Sequence, residues 1–354
     1  MASYDLETYI KPIWQGDTVY YETVLFVGEE DCAPLLYPIE QVVGVYNYGL
    51  TEEYQLGKDF EIIDGKIKRI KGGKTPYCPV DDYYLDKQAQ YAIEIVNNRE
   101  VAPAGKKYFN FGEKDSYSKY QIAVTYRHSA QNKTLIPQGK SQRFSCFLNK
   151  LKEQKSASVI FYGDSITTGC NSSGTPMGGM VEPFAESFPV MVHKKLQKEF
   201  DAEIEYANTA VGGWATDRGL DAFDERVLDK EYDLLVLGFG MNDGATPLET
   251  YLERTEKMVL KFRERNPQGQ VVLLSTTYPN TESNWVRNQP LFINELVKLE
   301  KKYSFVGVAD MTNMHYNLLE TGKRYRDMTG NNVNHPNDFL ARIYAQVVLK
   351  TLLG

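Results

Sequence analysis

Residues 158–165 read Ser-Val-Ile-Phe-Tyr-Gly-Asp-Ser, and the reading of the chain turns on them. A short β-branched and aromatic run such as 158–162 is a buried strand, and the Gly-Asp-Ser-Ile-Thr of 163–167 turns it into a helix. The same unit then recurs downstream. Helical spacing over 185–200 aligns Phe188, Met191, Val192, Leu196 and Phe200. Residues 204–207 read as a strand, 217–228 as a helix, 234–237 as a strand and 248–265 as a helix. Residues 271–275 read as a strand, 284–303 mostly as a helix, 305–309 as a strand and 337–353 as a closing helix. Alternating strand and helix predicts an α/β fold, a parallel sheet with helices on both faces.

Upstream of residue 146 the pattern differs. Segments 18–26, 41–46, 91–96 and 121–126 are tyrosine-rich and alternate with period two, the strand signature. Asp64-Gly65 lies between two alternating runs in 60–70, a strong hairpin signal. Short strands with turn signals and no long amphipathic helix predict a β-sandwich of jelly-roll type. The expected division is therefore an N-terminal β-sandwich domain over 1–146, a polar, helix-prone connector over 147–156, and an α/β domain over 157–354.

Composition sets outer limits. The 354 residues are 42% hydrophobic and 25% charged, ordinary for a globular chain. A net charge of -7 argues against a general nucleic-acid partner. No apolar run approaches the ~20 residues of a membrane span, and MASYDLETYI shows no leader pattern. No membrane partner is expected, and the expected compartment is the cytoplasm, or the exterior if a leader has been removed. Oligomeric state is not legible. Cys32, Cys78, Cys146 and Cys170 are far apart, without a CxxC or His-flanked pair, so neither a zinc site nor a disulfide framework is expected.

Ligands of open α/β sheets bind beyond the carboxyl ends of the strands, so the residues after each strand are the candidates. Ser165 follows the first strand, with its N–H at a helix start where a developing anion is favoured; a plain helix cap is the structural alternative. The second strand is followed by Asn208, then Gly212-Gly213-Trp214, where paired glycines allow close approach or simply a turn. The third is followed by Gly240-Met241-Asn242-Asp243, and Asn242 is a neutral donor suited to an oxyanion. Of the four histidines, His335 alone stands in a loop opening a helix, where it could act as a general base.

Taken together, the Gly-Asp-Ser turn, the Asn-initiated glycine segment, the Gly-x-Asn-Asp segment and the His335-Pro336 pair occur in the order and spacing of the SGNH hydrolases, the GDSL esterase/lipase superfamily. Residues 157–352 resemble that superfamily. The resemblance implies a flavodoxin-like three-layer α/β/α sandwich. It implies Ser165 as nucleophile, His335 as base, and an oxyanion hole of the Ser165 N–H, a glycine N–H and Asn242. Gly213, five residues after Asn208, fits the family's glycine, with Gly212 the alternative. Asp164 would organise the turn. The family's usual Asp, three residues before the His, is here Asn332. The His would then be oriented by Asn332 or a backbone carbonyl in a Ser-His dyad, or by another acid such as Asp338 or Asp327.

The activity so implied is acyl transfer without metal or organic cofactor. An N-terminal β-sandwich on such a domain resembles bacterial carbohydrate esterases, which implies deacetylation of O-acetylated sugars or oligosaccharides. Trp214 and Trp285 are placed where aromatic faces could line the cleft, or pack within their loops. The alternatives are a general short-chain esterase or lysophospholipase, and a glycan-binding protein with a decayed hydrolase site.

Overall fold

The computed structural model describes residues 3–90, 92–96 and 102–354. Its antiparallel strands come first: β1 (Thr18–Leu25), β2 (Cys32–Ala33), β3 (Gln41–Asn47), β4 (Phe60–Ile63), β5 (Lys66–Arg69), β6 (Tyr84–Leu85), β7 (Ala92–Glu94), β8 (Tyr108–Asn110) and β9 (Gln121–Arg127). Among the described residues they form three three-stranded sheets, ordered β1-β9-β3, β2-β5-β4 and β6-β8-β7. Asp64 and Gly65 both take positive φ between β4 and β5, as a two-residue hairpin of the primed type requires. Of the strand expected over 91–96, residues 92–94 form β7, and Tyr91 lies outside the described residues.

The second half is one parallel sheet of β10 (Ser156–Gly163), β11 (Glu203–Asn208), β12 (Leu234–Gly238), β13 (Gln270–Leu274) and β14 (Val306–Ala309), ordered β11-β10-β12-β13-β14. In order of appearance this is 2-1-3-4-5, the flavodoxin-like winding, with its switch point between β10 and β12. Period-two alternation divides each strand between two cores. Val159, Phe161, Leu234, Val236, Val272 and Leu274 join one core with the helices Phe188–Phe200 and Asp338–Leu353. Ile160, Tyr162, Leu235, Leu237, Val271 and Leu273 join the other with the helices Leu248–Arg265 and Phe292–Lys302. That is the three-layer α/β/α sandwich the strand-helix alternation predicted.

Two helices are shorter or more broken than their periodicity suggested. The expected helix over 217–228 is two, Thr216–Asp221 and Phe223–Val227, divided at Ala222. The expected helix over 284–303 begins only with a 3₁₀ turn at Gln289–Leu291 and runs as α-helix over Phe292–Lys302. Pro290 has no N–H to donate to a helix running in from upstream and instead sits in the opening turn, where none is needed, and Asn280 and Ser283 satisfy neighbouring backbone groups locally. The preceding loop is thereby free to carry Trp285 to the sheet's edge.

The antiparallel half is not set apart from the sandwich. Val24, Phe26, Val45, Ile122, Val124 and Tyr126 belong to the same hydrophobic core as the closing helix. This explains why that helix is buried on nearly every face, Arg342 included. The Arg342 guanidinium lies over the rings of Phe339, at 4.7 Å, and Tyr9, at 5.4 Å. The joining segment 145–154, helical and then a π turn, buries Phe147, Leu148 and Leu151. β1 is also tied by charge to the stretch just before His335. Lys323 Nζ meets Glu22 Oε1 at 2.7 Å with neither side chain exposed, and Asp327 Oδ1 accepts the Leu25 N–H at 2.8 Å. A buried ion pair holds only where its remaining polar atoms are satisfied. Lys323 accordingly also donates to the Thr23 carbonyl, and Tyr126 to Glu22.

Candidate active site

β10 and β12 approach so closely at their carboxyl ends that a side chain at residue 163 would strike the Gly238 carbonyl. Glycine is therefore required there, and the chain can turn at once into the short helix Ser165–Thr168. Asp164 caps that helix, its Oδ1 accepting the Ile166 N–H at 2.9 Å. It is buried, and burial pushes its carboxyl up to about 7. The backbone N–H groups of Ile166 and Met241 and the nearby His335 pull it the other way. A carboxyl raised in the folded state binds a proton there that the unfolded chain has released. Stability conferred by this group is thus full below about pH 4 and declines as pH rises to about 7. Asp164→Asn is expected to flatten that decline. The difference in urea midpoint between wild type and variant, measured from pH 4 to 8, reads this directly. The slope removed is at most about 1.4 kcal/mol per pH unit.

Ser165 is the first residue of that helix and is 5% exposed. Its Oγ stands 2.8 Å from Nε2 of His335. The His335 loop is built around Asn331, whose Oδ1 accepts the N–H groups of Val333, Asn334 and His335, each at 3.0 Å. Thr329 Oγ1 and the Gly330 N–H both donate to the His335 carbonyl at 3.0 Å. The imidazole is held by its own backbone before any partner of its ring is counted.

The other ring nitrogen has partners the sequence did not point to. His335 Nδ1 lies 2.9 Å from Asn171 Oδ1 and 3.2 Å from Glu113 Oε2. Asn332, expected as an orienter, instead turns its amide toward the Asn110 carbonyl at 3.5 Å. Its backbone takes φ 71°, a left-handed position Asn tolerates better than most residues. The acids considered in its place are engaged elsewhere: Asp338 Oδ1 accepts the Ser173 N–H, and Asp327 pairs with Arg324. Glu113 is 222 positions from His335 in the chain and Asn171 is 164, so no local motif contains either. The remaining histidines have other bonds: His128 Nδ1 to Ala130 O, His193 Nε2 to Ile204 O, and buried His315 Nδ1 to the Tyr278 N–H.

Beside Ser165 lie the two donor segments. Gly212 abuts the serine: a Cβ built on it would stand 3.8 Å from the Ser165 Cβ. Gly213 follows with φ 77°. Asn242 donates from Nδ2 to the Trp214 carbonyl at 3.0 Å, leaving a second Nδ2 hydrogen. Asp243, buried, accepts the Thr216 N–H at 3.0 Å and its hydroxyl, locking the glycine loop to the asparagine loop. Trp214, a candidate either for the cleft or for packing within its loop, offers its carbonyl to Asn242. Its ring lies 4.9 Å from the Arg226 guanidinium and packs against the second core.

A cavity of about 440 Å³ opens beside Asn242, lined also by Met241, Trp285, Arg287, Gln289 and Ile93. Ile93 comes from β7, and β7 is bonded to the Trp285 loop: the Asn284 N–H donates to the Glu94 carbonyl at 3.0 Å, and the Val96 N–H to that of Glu282 at 2.8 Å. Of the two tryptophans, Trp285 reaches this cavity and Trp214 does not line it. Among the described residues no group of three or more His, Cys, Asp or Glu side chains is arranged to hold a metal ion, and no helix is long and apolar enough to cross a membrane. Chemically, the arrangement is a hydroxyl bonded to an imidazole whose other nitrogen faces acceptors. Such an imidazole carries its hydrogen on Nδ1 and can accept the serine proton at Nε2.

The chain is 25% identical over 182 residues to an uncharacterized protein of Mycoplasma pneumoniae, a match covering 48% of this chain and 20% of that one. Among solved structures it is similar to a two-domain esterase (CEX) active on acetylated mannans, co-crystallized with mannopentaose. That similarity has a TM-score of 0.49 and 22% identity, over 62% of this chain and 56% of the other. It is also similar to Axe2, an acetylxylan esterase from Geobacillus stearothermophilus, with a TM-score of 0.47 and 17% identity over 56% of this chain and 94% of the other. The chain thus spans one fifth of the curated relative and little more than half of the two-domain esterase. Residues 161–343, more than half of the 354-residue chain, match the GDSL-like lipase/acylhydrolase family. The chain belongs to that family.

Proposed function

We propose that this protein is a serine esterase that removes acetyl or other short acyl groups from O-acetylated sugars or oligosaccharides. The observation that carries the reading is the 2.8 Å contact between Ser165 Oγ and His335 Nε2, placed at the sheet's switch point beside a cavity lined by Trp285, Asn242 and Arg287. The cavity's volume of about 440 Å³ suits a sugar-sized group. Trp285 offers an apolar face, and Asn284, Arg287 and Gln289 offer hydrogen-bonding groups. In this reading residues 1–146 form the N-terminal domain and wall the cleft, 147–156 connect, and 157–354 form the catalytic domain.

The geometry supports an acyl-enzyme route. Ser165 Oγ attacks the acetyl carbonyl carbon as its proton passes to His335 Nε2. The carbonyl oxygen becomes an oxyanion and accepts hydrogen bonds from the Ser165 N–H, the Gly213 N–H and Asn242 Nδ2. As the tetrahedral centre collapses, the C–O bond to the sugar breaks and the sugar oxygen takes the proton from His335. A water then gives a proton to His335 Nε2 and attacks the acetyl-serine. The bond from the acyl carbon to Ser165 Oγ then breaks as Oγ takes the proton back from His335, and acetic acid leaves and ionises in solution.

The test is acetate release from acetylated xylan and mannan oligosaccharides and from 4-nitrophenyl acetate. Release from the oligosaccharides is the expected result. Hydrolysis confined to the artificial ester would keep the chemistry and discard the sugar. No release from any ester would overturn the proposal.

A further inference from the structure

We propose that Glu113, from the antiparallel half of the chain, is the charged positioning residue of His335 and takes the place of the carboxylate that Asn332 does not supply. The inference rests on the Ser165–His335 reading above and adds the third member of its relay. Glu113 Oε2 lies 3.2 Å from His335 Nδ1, and its Oε1 accepts from Asn331 Nδ2 at 3.4 Å. The carboxylate is thereby attached to the residue that organises the histidine loop.

Two acceptors compete for one hydrogen at Nδ1, and they differ in kind. Asn171 Oδ1 is the nearer, at 2.9 Å, and neutral. Its amide cannot be turned around without loss, because Asn171 Nδ2 donates to the Lys114 carbonyl at 3.0 Å. Asn171 therefore holds the tautomer with hydrogen on Nδ1. Glu113 contributes negative charge beside the ring when the ring takes up the serine proton and becomes positive. Charge at that distance is felt more strongly here than on an open surface, because His335 is 8% exposed and Glu113 only 28%.

Both acceptors depend on one short segment of the antiparallel half. Glu113 supplies the carboxylate and Lys114 the carbonyl that orients Asn171. The turn that presents them is tight: Lys114 has φ 61°, and the Ser116 hydroxyl donates to the Glu113 carbonyl at 2.6 Å. Gly179, from the loop after Asn171, would place a Cβ 3.5 Å from Asp115 N, so that loop packs directly against the turn. The antiparallel half thus completes the site as well as covering it. The other acid near the ring, Asp164, is committed to the cap of the serine helix.

The test separates charge from shape. Glu113→Gln keeps the side chain's size and removes its charge. It is expected to lower kcat about 10- to 100-fold with KM within about twofold. That is less than the roughly 10⁴-fold loss when the sole orienting carboxylate of a triad becomes an amide, because Asn171 still fixes the tautomer. Glu113→Ala should lose as much, and added formate, which fits the vacated and partly exposed position, should restore part of that loss while leaving Glu113→Gln unchanged. A merely structural role would not respond to formate. Phosphonylation of Ser165 by a fluorophosphonate reads the same relay without any ester substrate, and should slow about 10-fold or more in Glu113→Gln. Wild-type kcat and labelling in Glu113→Gln, or no response of Glu113→Ala to formate, would overturn the role of Glu113. An inactive wild type that still labels at Ser165 faster than Glu113→Gln does would instead discard the esterase reading and keep the relay.

Discussion

Replacing Ser165 with alanine is expected to lower kcat on any ester the wild type hydrolyses by at least about 10⁴-fold. In the proposed reaction this hydroxyl forms the covalent bond to the acyl carbon and hands its proton to His335 Nε2, from which it stands 2.8 Å. His335→Ala should lose a similar factor, since an unassisted serine hydroxyl is a weak nucleophile at neutral pH. The double variant should lose no more than either single one, because the two groups act as a unit and what remains comes from the oxyanion donors and binding. Steady-state kinetics of the three variants checks this. Losses that multiply in the double variant would mean that the two side chains act independently. Unfolding of Ser165→Ala in urea should move by no more than about 1 kcal/mol, the worth of one hydrogen bond, so lost activity is not lost fold.

The second large effect belongs to Asn242. Its side chain is neutral, and one of its amide hydrogens is already committed to the Trp214 carbonyl at 3.0 Å. That bond pins the amide and leaves a second hydrogen, which in the proposed reaction serves the oxyanion. A donor fixed in advance acts most where charge develops, so Asn242→Ala should lower kcat about 10²- to 10³-fold, some 2.7–4 kcal/mol, with KM little changed. Asn242→Asp should be at least as damaging, because it faces the developing anion with a like charge. A change confined to KM would assign Asn242 to substrate binding through the neighbouring cavity.

Much of this architecture is legible in the sequence because the information is local. Runs such as Val159–Ile160–Phe161–Tyr162 send alternate residues to opposite cores, and the structure divides them so. The positions of Ser165 and Asn242 were legible for the same reason: each lies in the loop or turn after a strand, and strand ends of this fold converge at one edge. Glu113 was not legible, because its place beside His335 depends on how the antiparallel half docks. The only local hint is the turn-forming Gly112 before it, which marks a bend and says nothing of its partner. Asn171 is similar; it comes six residues after Ser165, and its side-chain direction is set by Lys114 across the junction. For Trp214 the sequence left cleft and loop packing open, because proximity of a backbone segment does not fix which way its ring points. The start of the 284–303 helix was not legible because helical periodicity extends upstream of Pro290 while the helical backbone begins only at Gln289.

Ser165 is expected to carry the acyl group during turnover. Rapid mixing with 4-nitrophenyl acetate, acid quenching within one turnover and mass analysis of the digested chain test it most directly. One acetyl group is expected on the peptide containing Ser165, formed at least as fast as steady-state turnover and absent from Ser165→Ala. Turnover that proceeds with the acetyl group on another residue, or undiminished in Ser165→Ala, would contradict it.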